Sequence, residues 1–436
     1  MTKLKFLTVI IIIIIGLIFR LHNYHSYPQR GASSDEYTYS FLGISLLTKG
    51  YPESWSNVAV YDNLYHLTIK GIYFPMVYPY FDHPPLNGIL VGEWAILNNQ
   101  TRYPDVDLKT IRLVPIFLSI ISSLLLFLLG LKLFNFKTAV WALLIFSSVT
   151  TFVMNQRVVF AENLLTPLLL GSLCIYVYAK KLTVRKTIAI GILSGLSFWT
   201  KEVGISVFFT MFYLYLYDRQ KSKLIFLLTT LFLLFFIGYL FYGYAYDWSQ
   251  FLKVIQAQSD RKIGPDTLLQ LTSIPVIVNK VYFDGWYYFG FLSIFFALFD
   301  FKRYKILIVS ELTYLILIIF SISKGSQMGW YMIPLFPIMA LLSADLLTES
   351  LQKTRKSWFI FLLLLFVGFY EIKYLYESNF GLTTFQFMIF LFLLFGPFIV
   401  LTFPHKETLF RKIGNIWFYV LILGTMYLTY TYIHPA

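Results

Sequence analysis

Six short stretches of a charge-poor chain hold side chains able to move a proton or grip a phosphate. In "GASSDEYTYS", Asp35 and Glu36 stand side by side. Ser33-x-x-Glu36 has the spacing of a capping box, and Asp35 in a first turn suits the helix dipole. The pair therefore either starts a helix or presents a carboxylate to a reacting hydroxyl. A helix N-terminus stabilises the carboxylate and makes it a weaker base. In "YPYFDHPPL", the prolines hold Asp82-His83 on a stiff turn. This is either a satisfied loop tip or a second acid beside a titrating imidazole.

In "NQRVVFAENLL", Arg157 and Glu162 flank the start of an apolar run. They either tie two helices together as an ion pair or belong to a site. Lys201-Glu202 sits between two closely spaced apolar runs, so its turn must be tight. Lys201 is either a snorkelling turn lysine or a point charge for a phosphate. Arg261 and Lys262 precede Gly-Pro, as a solvated cluster or as cations closing on an anion. Lys324, Gln327, Trp330 and Tyr331 lie at the mouth of a later run, where Trp and Tyr suit an interfacial aromatic belt.

Other chemistries are missing from the sequence. There is no G-x-x-x-x-G-K-[ST] loop, no H-E-x-x-H and no Cys/His set with zinc spacing. "GLSFW" does not fit a nucleophile elbow. The single cysteine, Cys174, precludes an intrachain disulfide.

The elements that must position these groups are membrane helices. The chain is 58% hydrophobic and 13% charged, against about 25% charged in soluble domains. Apolar runs near the length of a bilayer span recur throughout. Thirteen spans are expected, centred near residues 12, 122, 146, 171, 193, 211, 234, 293, 313, 338, 367, 394 and 424. The run at 86–98 and the pair near 193 and 211 are ambiguous. The first run, after a basic start, reads as an uncleaved signal anchor.

Net charge is +13, but 20 of the 35 Lys and Arg fall in alternate short loops such as "KLFNFK", "KKLTVRK" and "FKRYK". That distribution is a topology signal rather than a nucleic-acid surface. It places the N-terminus in the cytoplasm and residues 21–110 and 246–285 outside. The stretch 35–49 then fits an amphipathic helix on the outer membrane surface. All 436 residues read as one integral membrane domain with no separate soluble C-terminal domain.

The motif order is more telling than any one motif: Asp35-Glu36 ending in "KGYP", "DHPPL", "IRLVP", "RVVFAENLL", "GLSFWTK", "WYMIPLFP". This resembles the C-type fold membrane glycosyltransferases that use polyprenyl-phosphate sugars, such as protein O-mannosyltransferases and lipid A aminoarabinose transferases. The resemblance covers most of the chain and is clearest over 1–205 and 325–345. It implies an all-α polytopic fold with a long first outer loop carrying surface helices. Asp35 matches the family's essential first-loop acid, and Glu36 follows it as in many members. Asp82-His83 matches the charged pair before the double proline, where His agrees with the mannosyltransferases and the aminoarabinose enzymes have lysine. Glu162 matches the acid entering the fourth span, and Lys201 a lysine after the "GL…T" run.

The resemblance implies an inverting single displacement from an undecaprenyl- or dolichyl-type donor onto a glycan, lipid or protein at the outer face of the cell membrane. Asp35 and Glu36 would be catalytic. Lys201, His83, Arg157 and Arg261 would hold the donor phosphate, supported by Asp82 and Glu162. Three acids on one face could also hold a divalent cation through oxygen. The rivals are a lipid-linked sugar flippase, whose charges would follow a path between both faces, and a scaffold whose polar motifs only cap helices.

Overall fold

The computed structural model describes residues 3–30, 33–260, 284–321, 329–352 and 407–432. Arg261, Lys324, Gln327 and the expected spans near 367 and 394 lie outside them. The isoleucine-rich first run forms α1 (Lys3–Leu21). Beyond it, the segment expected to carry only surface helices holds α2 (Asp35–Lys49), a small sheet, α3 (Leu86–Leu97) and the single turn α4 (Leu108–Ile111). The sheet corrects the all-α expectation. Strands β1 (Ser54–Trp55), β2 (Leu64–Ile69) and β3 (Ile72–Val77) are antiparallel in the order β1-β3-β2. Ile69 pairs with Ile72 across Lys70-Gly71, both at positive φ, as a tight two-residue hairpin requires.

A second correction concerns α2, which is not the amphipathic helix expected, with one face inward and one outward. Residues Glu36 to Ser45 are all buried within the protein. The contact with α3 explains this: a Cβ on Gly43 would fall 1.8 Å from the Gly88 carbonyl oxygen, and one on Gly92 would fall 2.3 Å from the Gly43 carbonyl carbon. Gly88-x-x-x-Gly92 thus lets two helix backbones touch, as small-xxx-small patterns do. The helices run parallel, so both N-termini, with Asp35 and His83, arrive together.

The remaining helices follow the apolar runs: α5 (Leu113–Leu133), α6 (Phe136–Ser148), α7 (Thr150–Asn155), α8 (Ala161–Tyr178), α9 (Val184–Thr200), α10 (Ile205–Tyr217), α11 (Ser222–Ser259), α12 (Gly285–Leu298), α13 (Phe301–Ser321), α14 (Phe336–Gln352) and α15 (Glu407–Thr431). Caps set several starts. Asn135 accepts from the Thr138 N–H, Thr183 from the Lys186 N–H, and Asp284 from the Trp286 and Tyr287 N–H groups. Five helical stretches among the described residues are long and apolar enough to cross a membrane: Lys3–Leu21, Leu108–Leu133, Ala161–Tyr178, Ser222–Ser259 and Gly329–Leu351. The run near 146 divides at Val149, whose extended ψ of 124° separates α6 from α7.

The expected outer segment from 246 begins as helix, because α11 continues to Ser259. Its backbone breaks at Asp247 (φ −169°), which caps the continuation by accepting from the Gln250 N–H.

The basic loops converge at one end. Lys5 lies over the Phe136 ring, Lys137 donates to Asn415, Arg303 lies over Phe134, and Lys305 pairs with Asp218. The other end gathers the starts of α2, α3 and α8, the end of α9, and residues 330–331.

Candidate active site

Asp35 and Glu36 are neighbours on one helix, yet they serve different surroundings. Successive helical side chains are turned by about 100°. Glu36 is fully buried and takes two 2.8 Å hydrogen bonds from Arg112 Nε and Nη2, plus one from the Val159 N–H. Arg112 also donates to the Tyr24 and Pro28 carbonyls. This cluster ties α2 to the chain after α1, the start of α5 and the approach to α8. Glu36, expected to be catalytic, is fully buried against Arg112 and anchors α2. The capping box does not form: Ser33 Oγ accepts from the Asp35 N–H, and Glu36 never turns back to the helix start.

Asp35 is half-buried, and its carboxylate accepts no hydrogen bond from the described residues. Burial raises its pKa, opposed by the charges of Lys201 and His83 and reinforced by Glu162 and Glu36. Desolvation therefore outweighs the helix dipole, and the direction is opposite to that expected from the helix start.

Lys201 sits in extended backbone after α9, where Gly204 folds the chain so tightly that a Cβ would fall 1.9 Å from the Ser197 carbonyl oxygen. Its ammonium is buried, 2.6 Å from Glu162 Oε1 and 4.1 Å from the Tyr331 ring centre. The tie expected between Arg157 and Glu162 is thus made by Lys201. Glu162 compensates the ammonium, and the charges of Lys201 and Asp35 also act on each other. Arg157 is buried and donates to the Phe19 carbonyl. Its charged neighbours are Arg20 and Arg112, not the Asp35 group.

Asp82 is held by the hydroxyls of Ser56 and Tyr61, the latter at 2.6 Å. Burial raises its pKa against these two bonds. His83 stacks on Tyr39 with ring centres 5.9 Å apart, and its Nδ1 lies 3.5 Å from Glu202 without a hydrogen bond. Tyr61 also lines an open cavity of about 380 Å³ with Asp62, Lys253 and Gln256.

Trp330 and Tyr331 are not merely an aromatic belt. Trp330 stacks on Phe160 at 4.8 Å, and Tyr331 lies under Lys201 with its carbonyl bonded by Tyr314. Five separate segments thus meet: 35–39, 82–83, 160–162, 201–202 and 330–331. Among the described residues, no three His, Cys, Asp or Glu side chains converge as metal ligands.

Sequence reasoning missed several parts. Arg112 was visible as a lone arginine before an apolar run in "IRLVP", and the Gly88/Gly92 spacing was visible as G-x-x-x-G. Tyr39 and Tyr61 carried no signal among 33 tyrosines. Glu311, inside α13, is fully buried with both carboxylate oxygens unpartnered.

Residues 82–242 match the family described as dolichyl-phosphate-mannose-protein mannosyltransferase. That stretch contains Asp82, His83, Arg112, Arg157, Glu162, Lys201 and Glu202, but not Asp35, Glu36 or Tyr331. No curated protein sequence matches the chain. Among solved structures, it is similar to ArnT from Cupriavidus metallidurans, at TM-score 0.59 and 14% identity over 98% of this chain and 75% of that one. The same protein bound to undecaprenyl phosphate aligns at TM-score 0.58 and 13% identity, over 97% and 77%. The oligosaccharyltransferase AglB from Archaeoglobus fulgidus, in complex with an inhibitory peptide and a dolichol-phosphate, aligns at TM-score 0.52 and 12% identity. That alignment covers 100% of this chain and 56% of AglB, so the chain spans about half the length of that relative. The chain has the C-type fold of the membrane glycosyltransferases, and over residues 82–242 it carries the sequence pattern of their protein mannosyltransferase family.

Proposed function

We propose that the protein transfers a sugar from a polyprenyl phosphate to a hydroxyl of a glycan, lipid or protein acceptor at the outer face of the cell membrane. Thirteen spans, with a cytoplasmic N-terminus and residues 21–110 outside, put the basic loops inside. The Asp35 end then faces out. The single observation that carries the reading is the Asp35 carboxylate. It is raised in pKa, free of hydrogen bonds from the described residues, and surrounded by Lys201, His83 and Glu162 brought in on separate segments.

The acceptor oxygen attacks the anomeric carbon while the bond from that carbon to the phosphate oxygen breaks. The proton goes to Asp35, and the polyprenyl phosphate leaves with the bonding pair, inverting the sugar. A raised pKa makes Asp35 a better base than an ordinary aspartate. The charge of Lys201 opposes that rise. His83, whose side chain is 21% exposed, and Arg261 are the groups proposed to meet the phosphate.

The test is transfer of radiolabelled sugar from defined polyprenyl phosphates by purified protein, with Asp35→Asn alongside. Product should form with wild type and vanish in the variant. Translocation of the lipid without transfer would establish the flippase reading instead.

A further inference from the structure

The end opposite Asp35 carries a second concave site. A cavity of about 450 Å³ opens where α5, α8 and α10 finish, beside the loop 179–182 and the start of α13. Lys132, Lys180 and Lys181 line it, all three exposed. The acid in its wall, Asp218, is already satisfied by Lys305 and by the Tyr176 hydroxyl. Three lysines therefore line a space whose acid is already paired, the Lys132 ammonium lying 5.5 Å from the centre of the neighbouring Tyr178 ring. Leu133 and Ile306 supply an apolar wall beside them.

We propose that this pocket binds the phosphate-bearing headgroup of an anionic membrane lipid. Lysines act as point charges for phosphate, and basic pockets between membrane helices at headgroup level attract anionic lipids. The apolar wall favours an amphiphile over a free anion, because it can cover the first carbons of the acyl chains. The site lies at the opposite end from the Asp35 cluster and does not depend on the reading of that cluster.

The experiment measures thermal unfolding of the full chain in neutral detergent during titration with phosphatidylglycerol, phosphatidylcholine or inorganic phosphate. Phosphatidylglycerol should stabilise the wild type, and phosphatidylcholine should not. K132Q/K180Q/K181Q should raise the half-saturating lipid concentration ~10-fold or more, since each lysine near an anionic surface contributes a factor of about five. R185Q/K223Q, which removes two exposed charges nearby but outside the pocket, should titrate as wild type. Equal weakening in both variants would show diffuse surface attraction and overturn the site. An equal response to inorganic phosphate would overturn the lipid assignment in favour of a small-anion site. If the triple variant unfolds, K180Q/K181Q with bound lipid counted by native mass spectrometry gives the same discrimination.

Discussion

Arg112 grips Glu36 through two 2.8 Å hydrogen bonds, with neither side chain reached by solvent. Removing one partner strands a buried charge, which costs about 3–5 kcal/mol. Arg112→Ala and Glu36→Gln should both lower the unfolding temperature sharply. Asp35→Asn, one residue away, should not. A Glu36→Gln protein that keeps wild-type stability but loses transfer would return Glu36 to a catalytic role.

The raised pKa of Asp35 has a sign that can be checked. If Asp35 is the base, activity rises as it deprotonates. The acid limb of kcat/KM should therefore lie above the ~3.9 of a free aspartate. Stability moves the opposite way. The native state holds the proton more tightly than the unfolded chain does, so stability falls as pH climbs past the unfolded and then the native pKa. Asp35→Asn should abolish that fall and be no less stable than wild type at neutral pH. An acid limb at or below the free value would contradict the assignment.

Lys201 and Glu162 form a buried pair at 2.6 Å, so their substitutions should be strongly coupled. Lys201→Met leaves Glu162 uncompensated, while Lys201→Met with Glu162→Gln removes both charges. The double variant should be more stable than Lys201→Met alone, and the full double-mutant cycle should give an interaction energy of about 1–3 kcal/mol. Additive effects would mean that the ion pair contributes nothing.

Gly92 meets the Gly43 backbone, with no room for even a methyl group. Gly92→Leu should force α2 from α3 and separate Asp35 from His83. The expected result is loss of transfer, with lowered thermal stability and faster proteolysis within 35–97. A fully active Gly92→Leu would show that the α2–α3 contact does not position the site.

Glu311 bears an opposite expectation. Both its oxygens are buried without partners, a cost of roughly 1–3 kcal/mol for an unsatisfied polar group. Glu311→Leu should therefore stabilise the protein in detergent unfolding and leave transfer intact. Loss of transfer in a stable Glu311→Leu variant would reveal a working role for this carboxyl.

Run length and hydropathy anticipated a mostly helical chain, and five described stretches are long and apolar enough to cross a membrane, because a bilayer span demands a continuous apolar segment that few other structures need. The alternation of basic loops likewise anticipated which ends meet: Lys5, Lys137, Arg303 and Lys305 all reach groups from neighbouring basic loops. Gly88-x-x-x-Gly92 held the α2–α3 contact in plain spacing. Its meaning depended on Gly43 lying opposite, 45 residues earlier in the chain.

Which groups are free to react was decided by tertiary structure alone. Asp35 and Glu36 are identical in charge and adjacent in sequence, so no local rule separates them. Arg112, 76 residues away from Glu36, claims one and leaves the other open. Glu162 could have taken Arg157, five residues before it, but took Lys201 across two helices. A side chain's partner depends on the direction it leaves its helix and on what other segments bring to that spot. Sequence determined the set of charged groups and the membrane scaffold; packing determined which charge is compensated and which is left for chemistry.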